Sequence, residues 1–408
     1  MNAVQAGPKF VVTEASGVWL WDDQGDRYLD GTASLWYCNV GHGRREIADA
    51  IHSQLLRLEA YTVYGDFANR PALELSERLA DRAPVDDPRV MLTCGGGESI
   101  ETAAKLARKY WASRGHPERV HLISRTGGYH GLHGIGTGVI GMERFRSGYG
   151  PMVEATSVVA HDSVAELEAE IHRIGPENVA AFFAEPVIGA GGVYAPPDGY
   201  FERVAELCRR HGILFISDSV ICGFGRLGNW FGIERFGVRP DMIVFAKGVS
   251  SGYLPLGGVV VSGEVAAPFW DQPGNTLLHG TTYAGHPTCC AAALANMDIL
   301  ERENLLEVSL YVERDLDRAL RGLESHPAVA EVRSGTGVMG AVQLTTEAEE
   351  AGISAPAVFR EARRRGVILR AIPGAVVMSP PLIITTEQIE HLVATLRSSL
   401  DAVSERAG

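Results

Sequence analysis

From Pro88 onward the chain alternates short apolar runs with longer amphipathic stretches. RVMLTC (Arg89–Cys94) precedes a helical pattern over Glu98–Ser113, and Val120–Ser124 precedes one over Ser163–Ile174. NVAAFFA (Asn178–Ala184) precedes a helix over Tyr200–His211, and Ile213–Ser217, Met242–Ala246 and Gly258–Ser262 supply further strands. Apolar runs of this length suit strands buried on both faces, and their alternation with helices predicts an α/β fold with a mostly parallel sheet.

The flanking regions follow other patterns. GVWLWDDQGDRYLDG predicts a hairpin turning near Asp22–Asp26, followed by helices over Glu46–Glu59 and Arg70–Ala83. After Pro287 come two long helices, Pro287–Glu303 and Leu305–Leu323. Short strands follow at Ala328–Ser334, Val338–Leu344, Val367–Ile372 and Val376–Ser379, with helices over Ala355–Arg365 and Thr386–Ser404. The expected organisation is an N-terminal segment 1–60 contributing to a small domain, a large domain 61–295, and a C-terminal α+β domain 296–408.

Composition narrows the function classes. Lys and Arg total 37 against 50 Asp and Glu, a net charge of −13, which argues against a general nucleic-acid or anionic-membrane binder. The six cysteines have no CxxC spacing and several lie in apolar segments, as expected for free thiols in a reducing cytoplasm. The start of the chain reads as lacking a signal peptide, and no apolar run approaches membrane-spanning length.

The candidate chemistry lies where the strands stop. Three apolar runs end on an ionisable residue: Ala184 before Glu185, Ser217 before Asp218, and Ala246 before Lys247. Ligands of open α/β sheets gather at the carboxyl ends of the strands, so two carboxylates and an amine there read as a site. A partly desolvated lysine in that position suits Schiff-base chemistry. Gly95-Gly96-Gly97, between a strand and a helix, offers backbone N–H groups to an anion, with Glu98 suited to the helix dipole.

Competing motifs are weaker. Gly136–Gly141 matches GxGxxG without opening a clear helix after a strand, and neither GK[ST] nor GxSxG occurs. His130 and His133 are three apart with no convincing third ligand, so no metal site is expected there.

Together these pieces resemble the class III (ω-) aminotransferases, pyridoxal-phosphate enzymes of fold type I. GGGESIETAAKLAR, GGYHG, EPVIGAGGVYAPPDGYF, ISDSVICGFGRLG, FAKGVSSGYLPLGG and HGTTYAGHP carry the resemblance, which extends over nearly the whole chain. It implies a seven-stranded type of sheet in the large domain, pyridoxal 5′-phosphate as cofactor, and a homodimer with shared active sites. Lys247 would hold the cofactor as a Schiff base and move the proton, and Asp218 would face the ring nitrogen. Tyr129 and Val220 would cover the ring faces, and Gly96, Gly97 and Thr282 of the other subunit would hold the phosphate. His130 and Glu185 complete the implied cofactor-binding set. Leu35, Trp36 and Arg370 would bind substrate, Arg370 through a carboxylate fork.

Some positions depart from the family pattern. Asp218-Ser219 stands for Asp-Glu, Gly96-Gly97-Glu98 for Gly-Ser-Glu, and Pro373-Gly374 for Gly-Asp. The implied reaction moves an amino group from an amino acid or amine to an oxoacid through the pyridoxamine form of the cofactor. Two other readings stay open: a decarboxylase or carbon–carbon bond-forming enzyme on the same scaffold, and a non-catalytic protein retaining the fold.

Overall fold

A computed structural model describes residues 9–271 and 274–407. Two compact units emerge: one takes the chain up to Arg45 and from Tyr311 onward, the other Glu46–Leu310.

The unit Glu46–Leu310 is built on a seven-stranded sheet. In spatial order its strands are Arg89–Thr93, Gly257–Val261, Met242–Phe245, Leu214–Asp218, Val179–Ala184, His121–Arg125 and Thr156–Val159. Gly257–Val261 runs antiparallel to both neighbours, and the remaining pairings are parallel. Six strands therefore point the same way, and their carboxyl ends share one edge. Val179–Ala184 and Met242–Phe245 are buried along their whole length, which is why both read as unbroken apolar runs.

The helix Gly96–Ser113 packs on this sheet through Ala103, Ala104 and Ala107, all fully buried. Small side chains there let helix and sheet approach closely. The helix begins two residues earlier than its periodicity suggests, so Gly96 and Gly97 form its first turn. Gly95 is the N-cap, and the Glu98 carboxylate reaches back to accept from Cys94 N at 2.8 Å. Ser99 Oγ donates to Gly95 O at 2.9 Å and pairs with Thr93 Oγ1 at 2.7 Å, tying the turn to the strand before it. Tyr200–His211 matches its expected bounds, because Gly199 and Gly212, both left-handed, punctuate its ends.

The other unit contains two four-stranded sheets. One holds Val12–Ser16, the hairpin Trp19–Asp22 and Arg27–Asp30, and Val367–Ile368. The other holds Val329–Arg333, Gly340–Leu344, Ala375–Met378 and Arg370–Ile372 in antiparallel array. The single strand expected over Val367–Ile372 is thus divided at Leu369, its halves pairing in different sheets. All six cysteines are free, and five are buried. No helix among the described residues is long and apolar enough to cross a membrane.

Candidate active site

The parallel strands deliver their following residues to one edge of the sheet: Glu185 after Ala184, Asp218 at the end of its strand, and Lys247 two residues after Phe245. The Gly96–Gly97 turn follows Arg89–Thr93 at the same edge. A cavity of about 300 Å³ opens there, lined by Gly96, Gly97, Tyr129, His130, Asp218 and Lys247. Glu185 and Val220 also line it, as do Gly131, His133 and Ile221.

Asp218 is held as an acceptor. Its side chain is almost wholly buried; Oδ2 accepts from His130 Nδ1 at 2.8 Å and Oδ1 from Val220 N at 3.1 Å. The other ring nitrogen of His130, Nε2, is buried with no hydrogen-bond partner among the described residues. Ser219 lies behind Asp218, its hydroxyl 3.1 Å from Ser217 Oγ and its N–H bonded to Val244 O. At this position the chain therefore carries a small neutral side chain facing inward.

Glu185 acts as a bracket. Oε1 accepts from Tyr129 N at 2.9 Å and Oε2 from Gly189 N at 3.0 Å, so one carboxyl positions the Tyr129 loop against the segment after Ala184. Burial, and after it the charge of Asp218, push the Glu185 carboxyl above its usual range, against His130 and the two amides. Tyr129 is half-buried, its ring edge-to-face with Phe145.

Lys247 adopts φ +49°, a left-handed conformation uncommon for a residue with a side chain. The backbone that follows is fastened by Asn296, whose Nδ2 donates to Gly248 O at 2.9 Å and Val249 O at 3.0 Å. Strain held in place by buried hydrogen bonds is a feature of functional sites.

The glycine cup is packed against its surroundings. A Cβ on Gly96 would stand 3.1 Å from Val220 Cγ1, and one on Gly97 only 2.9 Å from His133 Cε1. Gly131, at φ +81°, brings its Cα region against Gly97. The first helical amides lack acceptors within the helix, so this side-chain-free turn suits a phosphate. A buried carboxylate, a lysine and an anion cup around one cavity fit pyridoxal phosphate.

Other expected positions lie elsewhere. Thr282 is exposed and does not line this cavity of its own chain. In the other unit, Trp36 is 3% exposed and Leu35 is exposed, on a short turn where Ala33, Ser34 and Trp36 have positive φ. Arg370 opens the strand Arg370–Ile372. Sequence reasoning overlooked Gly131 and Ile221, and weighed His133 only as a metal ligand. The repeated histidine in GGYHGLHG was the available signal. The GxGxxG stretch falls on and just after the helix Gly134–Val139, and its glycines serve backbone packing. A Cβ on Gly136 would meet His130 O at 2.5 Å.

The sequence matches the family model described as aminotransferase class-III over residues 1–400. It is 37% identical over 416 residues to the putrescine–pyruvate aminotransferase of Pseudomonas aeruginosa, covering 96% of this chain and 90% of that protein. The structure is similar to a thermostable (S)-enantioselective ω-transaminase from Thermomicrobium roseum, with TM-score 0.94, 40% identity, and coverage of 98% and 94%. It is also similar to an amine transaminase from an uncultivated Pseudomonas species in its PLP-bound form, with TM-score 0.92, 35% identity, and coverage of 98% and 97%. The chain belongs to the class III aminotransferases, which use pyridoxal 5′-phosphate to move an amino group from a donor to an oxoacid.

Proposed function

We propose that this enzyme takes its amino group from an ω-amino acid or an amine, and that Lys247 and Asp218 carry the chemistry. The observation that supports this most directly is the meeting of Lys247, Asp218 and the Gly96–Gly97 turn around one cavity. When bound, the cofactor supplies an aldehyde for the donor's amino group and a protonated ring that draws electrons from its Cα. Lys247 Nζ would anchor the cofactor at rest and would move the proton from the donor's Cα to the carbon that was the cofactor's aldehyde. Asp218, fixed by His130 and Val220 N–H, would keep the ring nitrogen protonated. Tyr129 and Val220 would cover the ring and the Gly96 and Gly97 amides would receive the phosphate, while Glu185 holds the Tyr129 loop in register.

Donor choice is assigned to Leu35, Trp36 and Arg370, with Arg370 binding a carboxylate through its planar fork. The putrescine–pyruvate relative supports an amine donor with pyruvate as acceptor. We further infer a homodimer in which Thr282 completes the phosphate cup of the opposite protomer. Exposed Phe67, Leu278 and Tyr283 in the same unit support such an interface. Six free cysteines support a cytoplasmic location.

Single-turnover absorbance with ω-amino acids, amines and α-amino acids tests the reading. At least one ω-amino acid or amine should change the cofactor spectrum, and pyruvate or 2-oxoglutarate should restore it. A response confined to α-amino acids rejects the donor assignment. Mixing Thr282→Ala with Lys247→Ala subunits should regenerate some native sites; no recovery after demonstrated subunit exchange rejects the shared cup.

A further inference from the structure

We propose that Glu168, His172 and His211 form a binding site for a divalent transition-metal ion, with zinc the best match, that fastens the helix Val164–Ile174 to the helix Tyr200–His211. Glu168 and His172 are four residues apart and so share one face of their helix. His211 is the last residue of the neighbouring helix. One ligand atom from each residue lies within 4.8 Å of the other two. Two imidazoles and one carboxylate, with water in the fourth position, are a donor set that zinc takes at about 2.0–2.2 Å.

Two further observations favour a cation there. His211 Nε2 is buried and has no hydrogen-bond partner among the described residues, a vacancy that buried nitrogens rarely leave. His172 lies in the last turn of its helix and His211 ends the other, so the negative ends of both helix dipoles meet at the cluster. Arg210 Nη1 holds Glu168 Oε1 at 3.0 Å, which orients the carboxylate and leaves Oε2 for the metal.

Both helices lead into strands whose far ends carry Glu185 and Asp218, so the cluster sits at the sheet edge opposite the cavity. The ion would accordingly secure the fold and take no part in amino transfer.

The test uses the untagged holoenzyme, cleared of metal and titrated with Zn²⁺ by calorimetry and with Co²⁺ by visible absorbance. One ion per chain should bind, with the absorption of a nitrogen- and oxygen-ligated Co²⁺ centre, and should raise the melting temperature. His172→Ala and Glu168→Gln should each weaken binding by roughly tenfold or more and lose the thermal shift, with aminotransferase rate unchanged. His172 is exposed, so its variant folds. Absence of saturable binding, or equal affinity in wild type and His172→Ala, overturns the proposal.

Discussion

His130 Nδ1 donates to Asp218 Oδ2 at 2.8 Å, with the two side chains 1% and 3% exposed. The residues are 88 positions apart in the chain, and the bond fixes the carboxylate that the proposed mechanism sets against the cofactor's ring nitrogen. Asp218→Asn keeps the shape and removes the charge. The donor half-reaction should slow by about 10²-fold or more, while borohydride still traps cofactor on Lys247. His130→Ala leaves a buried oxygen without its partner, a cost of about 1–3 kcal/mol, and should slow the half-reaction by roughly 10- to 100-fold. Near-wild-type rates in Asp218→Asn would remove Asp218 from the ring nitrogen.

Lys247 is held at φ +49° with its following backbone pinned by Asn296. Lys247→Ala and Lys247→Arg should both lose the borohydride-stable adduct and at least about 10³-fold in activity, with circular dichroism unchanged. Arginine keeps the charge without a nucleophilic amine, so activity in that variant would show that charge alone suffices.

The candidate site was readable wherever one short segment encodes it. Met242–Phe245 and Val179–Ala184 are buried on both faces, so each is spelled as a continuous apolar run, and the ionisable residue beyond it stands out. Features set by pairing between distant segments were not readable. Thr156–Val159 is a short edge strand with three half-buried residues, and its composition does not separate it from a loop. The break at Leu369 exists because Val367–Ile368 adds to the N-terminal hairpin while Arg370–Ile372 pairs with Ala375–Met378. Glu185 could be picked out as a strand-end carboxylate. Its bracketing of Tyr129 N and Gly189 N required the fold.

His133 fills the space where residue 97 would carry a side chain. A Cβ on Gly97 would lie 2.9, 3.1 and 3.2 Å from Cε1, Nδ1 and Nε2 of its ring. Gly97→Ser must therefore displace the imidazole and should weaken cofactor retention. In a His133→Ala background the same change has room, and its hydroxyl becomes an extra phosphate donor. Equilibrium dialysis of pyridoxal phosphate should give a coupling of about 0.5–3 kcal/mol between the two substitutions. Additive effects would mean that the two positions do not share this space.

Asp241 precedes the strand that leads to Lys247, and its Oδ2 accepts from Phe215 N at 2.7 Å. Burial pushes its carboxyl up to about 6, with Glu264 adding to the rise and the Phe215 amide opposing it. Between about pH 4 and 6 the folded chain holds this proton while the unfolded chain has released it. Stability therefore falls as pH rises through that window, and above it the fold carries a buried charge. Asp241→Asn keeps an acceptor for the Phe215 amide and removes the charge. At one pKa unit per ~1.4 kcal/mol, the variant apoprotein should be more stable at pH 8 by about 3 kcal/mol. Near pH 4, where the aspartic acid is already neutral in the folded chain, the gain should vanish. Thermal melting of both apoproteins across this range measures the difference, and a gain independent of pH would mean that Asp241 does not titrate in the fold.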